Sequence, residues 1–136
     1  MTRTVAFACL LIFASTSWAA DVIPPHLVGV WATSGAVLRG EALFEGQGVY
    51  LDTDGVGAVI GGPPPIGVRI VATYDSATHV IAIQLTEQGK IVGSDAFMYD
   101  ASRKVIRTDK GLEFHRRFDR LSPSIRKALG LEAKSQ

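Results

Sequence analysis

The sequence predicts an all-β domain, an eight-stranded antiparallel up-and-down barrel with a short C-terminal helix. Three observations predict it. Short runs rich in Val, Ile and aromatic residues recur along the chain, and several alternate strictly between apolar and polar. Turn signals built on Asp, Gly and Pro separate them. The intervals between runs are too short for crossover helices, so antiparallel neighbours are the simplest connection, and closure removes the exposed sheet edges.

The first residues are expected to be a leader. Arg3 supplies a positive start, and Val5 to Ala14 is a continuous apolar run, too short to span a bilayer as a helix. Ser17 and Ala19 fit the small-residue positions of a cleavage site after Ala19, with Ala20 as the next choice. Residues 1–19 are therefore expected to be a signal peptide and residues 20–136 one domain, periplasmic or secreted. Cys9, the single cysteine, lies within the apolar run and is followed by Leu10-Leu11-Ile12-Phe13, unlike a lipidated cysteine at a cleavage point. Removing the leader leaves no thiol, so the domain must be held by its apolar core and strand pairing rather than by disulfides. No later stretch is long and apolar enough to cross a membrane.

The strands follow in order. Leu27 to Ala32 is the first. Ala36 to Phe44, bent at Gly40, and Gly48 to Leu51 come next. Asp52-Thr53-Asp54-Gly55 is a turn, because Asp-Gly tolerates positive φ. Val56 to Ile60 leads into Gly61-Gly62-Pro63-Pro64-Pro65, a loop whose prolines predict a stiff extended path. Gly67 to Tyr74 and Val80 to Thr86 flank a turn at Asp75. Ile91 to Tyr99, Lys104 to Thr108 and Leu112 to Phe118 complete the set. Tyr74-Asp75-Ser76-Ala77-Thr78-His79-Val80-Ile81 is echoed by Tyr99-Asp100-Ala101-Ser102-Arg103-Lys104-Val105-Ile106. This predicts one Asp-led turn used twice at the same end of the meander. Ser122-Pro123 reads as a helix start and Gly130 as its stop, so a short helix is expected over about 122–130.

Charge is unevenly distributed. From Ala20 to Ser102 three basic residues face nine acidic ones; from Arg103 to Gln136 ten basic face four acidic. The asymmetry is expected to neutralise across one fold, with an anionic partner as the other reading. Nucleic acid is not an expected partner, since no aromatic residues interleave the basic cluster as single-strand binding requires.

Gly29-Val30-Trp31 resembles the Gly-x-Trp pattern of the first strand in the lipocalin and calycin group, and Ile23-Pro24-Pro25-His26-Leu27 precedes it where that group has a short helical turn. The resemblance implies that Trp31 packs inside the closed end. It also implies that a basic residue of the last strand, Arg116 or Arg117, stacks over it, with a helix following. The group's second motif has at most Tyr99-Asp100 as its counterpart, and this chain is shorter than a typical member.

Candidate chemistry is sparse. Asp52-x-Asp54-Gly55 matches part of a calcium loop but no closing Glu follows, so a hairpin turn is expected. His26, His79 and His115 are scattered and form no ligand pair. Asp95 interrupts an apolar strand. It faces solvent, or it faces the interior and needs a partner such as Arg69 or Arg116. The proline loop either shapes a barrel entrance or simply joins two strands. The expected function is non-enzymatic: an exported barrel that holds a small, largely apolar ligand against Trp31, Phe44, Tyr50, Arg69, Phe97 and Phe114. The alternative is a filled barrel that binds another macromolecule, such as an inhibitor, immunity or envelope assembly protein, through Arg116, Arg117 and Arg120. Neither calls for a metal or cofactor.

Overall fold

A computed structural model describes residues 22–131, so the expected leader and residues 132–136 lie outside the described residues. Nine strands run in chain order: β1 (Gly29–Ala32), β2 (Val37–Arg39), β3 (Ala42–Leu51), β4 (Val56–Gly62), β5 (Ile66–Asp75), β6 (Val80–Glu87), β7 (Lys90–Asp100), β8 (Val105–Arg107) and β9 (Glu113–Phe118). Each of β3 to β8 pairs antiparallel with the next, and β1 pairs with both β3 and β9. The result is a closed eight-stranded antiparallel barrel, with β2 as an extra strand outside the ring. A helix, α1 (Pro123–Ala128), follows the last strand.

Two-residue alternation sorts the side chains into two cores. Trp31, Val49, Leu51, Ile70, Ile81 and Phe97 point inward and fill the lumen. Val30, Tyr50, Ala58 and Ile60 point outward from β1, β3 and β4 into a second cluster, capped by Leu43, Leu121 and Leu131. The sequence reading splits 36–51 into two strands. The structure instead turns the chain at Gly40, then carries one strand through Gly46, whose φ of 103° lets β3 bend without a break. The β2–β3 hairpin thereby folds back on the outer wall. Its anchor is the Tyr50 hydroxyl, which accepts from the Leu43 N–H at 2.9 Å and donates to the Glu41 carbonyl at 2.5 Å.

The barrel base is plugged by a 3-10 turn, Pro25–Leu27. Trp31 is 1% exposed, and its Nε1–H donates to the Leu27 carbonyl at 3.0 Å. Arg116 sits opposite Trp31 in the β1–β9 register. Its guanidinium donates to the carbonyls of Val28 (3.0 Å from Nε) and Pro25 (2.8 Å from Nη2). Gly29 has a φ of 135°, and a Cβ there would overlap the Phe118 carbonyl oxygen. A close strand approach therefore requires glycine at the start of Gly-x-Trp.

The two echoed turns are one structure. The His79 N–H bonds the Asp75 carbonyl at 2.8 Å, and the Lys104 N–H bonds that of Asp100 at 2.7 Å. His79 and Lys104 adopt φ of 61° and 57°, and each Asp side chain accepts from the backbone two residues on. Both turns lie at the plugged end. At the opposite end the proline loop is a three-residue turn rather than an extended path. The strands pair as far as Gly46 with Gly62 and Gly61 with Ile66, leaving only Pro63–Pro65 to connect them.

Helix α1 is capped by the Ser122 hydroxyl, which accepts from the Ile125 N–H, and it ends at Gly130 with φ 70°. Ion pairs cross the charge divide: Arg126 of α1 pairs with Asp52 and, at 3.6 Å, with Asp54 in the β3–β4 turn. Arg107 pairs with Asp100 at 3.2 Å. The Asp-Thr-Asp-Gly segment is thus a hairpin turn whose carboxylates tether the C-terminal helix.

Candidate functional site

The lumen is filled at the base and open at the other end. Above the edge-to-face pair of Phe97 and Phe114, whose ring centroids lie 5.6 Å apart, a cavity of about 480 Å³ opens toward solvent. Its walls are Val49, Val59, Val68, Ile83 and Leu85. Among the glycines that line it, Gly61 lacks a side chain on the lumen face, whereas Gly46, Gly48 and Gly62 contribute backbone only, their Cβ direction being outward, as at Gly48 toward Leu43 and Tyr50. At this end the exposed apolar residues Ile66 and Ile91 stand at the starts of β5 and β7, and Leu112 lies in the connection before β9. Volume and lining fall within the usual range for a small-molecule site.

Asp95 faces this cavity. It lies opposite Ile83 in the β6–β7 register and two residues from Phe97, so the pleat points it into the lumen. It remains exposed because it stands near the mouth. Its Oδ1 accepts from the Ala96 N–H at 2.8 Å. Neither partner expected from sequence can serve it, since Arg69 is on the outer wall and Arg116 is held at the base.

The residues expected to share one site are dispersed. Phe97 and Phe114 form the cavity floor. Trp31 belongs to the packed base below. Tyr50 points the other way, because it lies between the inward Val49 and Leu51. Burial raises its hydroxyl pKa; the bond from the Leu43 N–H opposes that shift and the Glu41 charge adds to it. Arg69 stands between the inward-facing Val68 and Ile70, so it too projects outward. There it edges a second groove of about 410 Å³ between the outer wall and α1. Phe44 is 37% exposed on the hairpin, with the Arg39 guanidinium 4.0 Å from its ring centroid. Of the basic residues set aside for a macromolecule, Arg116 is engaged by base carbonyls and Arg117 donates to the Thr33 carbonyl at 2.9 Å. Arg120 is on the surface.

Sequence reasoning missed Val59, Val68, Leu85 and Gly61 as lining residues. Counting by twos from a lumen-facing residue on each strand would have found them. Among the described residues, no group of three His, Cys, Asp or Glu is arranged to hold a metal, and no helix is long and apolar enough to cross a membrane.

Fold and site together define a closed antiparallel barrel, plugged at one end, with an apolar cavity at the other. Comparison with protein families, curated proteins and solved structures found no match to this chain.

Proposed function

We propose that this chain is an exported, non-enzymatic binding protein that holds a small, largely apolar molecule in the open end of its barrel. The observation that carries the reading is the cavity of about 480 Å³, walled by aliphatic side chains and floored by two phenylalanines. An apolar guest there exchanges water for contact with the aliphatic walls and the aromatic floor. The exposed Ile66, Ile91 and Leu112 give such a guest an apolar approach. The leader-like first 19 residues support an exported setting. The arrangement of Gly29, Trp31 and Arg116 at the base, with a helix after the last strand, supports kinship with the lipocalin and calycin group.

The test is a fluorescence titration with N-phenyl-1-naphthylamine, a neutral apolar probe, on the wild type and on Gly61→Leu. A Cβ at Gly61 meets only the Gly46 carbonyl oxygen, at 3.8 Å, so the substitution places a side chain in the cavity without a backbone collision. Saturable binding to the wild type, weakened at least tenfold in Gly61→Leu, is the expected result. Absence of binding, or equal binding by both proteins, contradicts the reading.

A further inference from the structure

We infer that the cavity selects amphiphiles with an apolar chain and a cationic head, and that Asp95 is the group that recognises the head. The inference rests on the cavity being a binding site and adds the class of guest. Among the described residues lining the cavity, Asp95 is the only charged one. The neutral polar side chains there are Gln47 and Thr108, and Thr108 Oγ1 already accepts from the Leu112 N–H at 3.2 Å.

The position of Asp95 sets the order of chemistry along the lumen. Phe97 is two residues deeper on the same face of β7 and belongs to the floor. A guest with its chain against Phe97 and Phe114 brings its other end up to the Asp95 carboxylate. One carboxylate oxygen takes the Ala96 N–H, which leaves the second oxygen to receive an N–H or O–H from the guest. Among the described residues no cation lines the cavity to neutralise this charge: Lys90 and Lys110, at the open end, are not among its lining residues, Arg116 and Arg103 are held at the plugged end, and Arg126 pairs with Asp52 on the outer wall. A fatty carboxylate would place like charges together in a partly desolvated mouth, which is unfavourable. An ammonium or guanidinium head gains a charge-assisted hydrogen bond there.

Displacement of N-phenyl-1-naphthylamine by decylamine, 1-decanol and decanoate at neutral pH separates the possibilities. The three competitors share a chain length and differ in head. In the wild type, decylamine should displace the probe at the lowest concentration and decanoate at the highest. Asp95→Asn keeps the shape and removes the charge. It should weaken decylamine roughly fivefold, the size expected for a charged hydrogen bond discounted for solvent exposure, while leaving decanol and the probe unchanged. Asp95→Lys should invert the order in favour of decanoate. Equal displacement by amine and alcohol, or a uniform loss for all three competitors in Asp95→Asn, overturns the assignment while the cavity reading stands. A wild type that does not take up the probe removes both.

Discussion

Trp31 and Arg116 fasten the same 3-10 turn from two sides, so their removal should be coupled. Trp31→Phe deletes the Nε1–H bond to the Leu27 carbonyl and leaves a buried acceptor short of a donor. That costs about 1–3 kcal/mol. The smaller ring also leaves a void of ~40 Å³, adding about 1 kcal/mol at the usual cavity coefficient. Arg116→Met keeps most of the aliphatic stem and deletes the donors to Val28 and Pro25. Its cost should be about 2–3 kcal/mol, near the value of one strong charged hydrogen bond, because the bonds share one guanidinium and part of the group is solvated. Each variant should lower the thermal midpoint by roughly 8–15 °C. The double variant should cost less than the sum, by about 1 kcal/mol, since the turn is already loosened after the first change. Urea unfolding of the four proteins, followed by circular dichroism, measures the cycle. A Trp31→Phe cost below about 0.5 kcal/mol, or strict additivity, would refute the claim that both residues hold one plug.

Other consequences can be checked on the same material. Tyr50→Phe removes the hydroxyl that ties the β2–β3 hairpin to the outer wall and orphans the Leu43 N–H. It should destabilise by about 1–3 kcal/mol in urea unfolding, yet leave probe affinity unchanged because Tyr50 is across the barrel wall from the cavity. Asp100 is held down to about 2 from 3.8, chiefly by the Ser102 hydroxyl, then by the Arg103 N–H, with Arg107 assisting. A depressed carboxylate stabilises the fold fully above its unfolded value, and this contribution fades as pH falls through the folded one. The wild-type midpoint should therefore drop more steeply than that of Asp100→Asn between pH 3.8 and about 2. Equal slopes in thermal scans would show that the turn does not depend on that charge.

Most of the barrel was legible from local patterning, because its turns use residues with one strong conformational preference. The paired Asp75 and Asp100 turns, the Ser122-Pro123 start and the Gly130 stop all declare themselves locally. The bend at Gly46 did not, since a glycine inside a strand signals either an end or a bend, and only the contact of Leu43 with Tyr50 decides. The site was less legible for a related reason. The sequence reading groups Tyr50 and Arg69 with Phe97 from their positions on the strands, whereas the pleat sends them to the opposite side of the wall. The second apolar surface that receives Tyr50 is created by the folded-back hairpin together with α1, which is distant in sequence from the strands it covers. Asp95 was ambiguous because its direction depends on which residues of β7 point inward. The register with Ile83 fixes that.

The central claim, that the guest occupies the open end of the lumen, is tested most directly by following backbone amides in ¹⁵N–¹H spectra during titration with N-phenyl-1-naphthylamine. Saturable shifts concentrated at Val59, Val68, Leu85, Asp95 and Phe97 are expected, with the amides of Leu43, Tyr50 and Leu129 unmoved. Shifts confined to the outer groove around Tyr50 and Leu129, or no saturable shifts at all, would contradict the account.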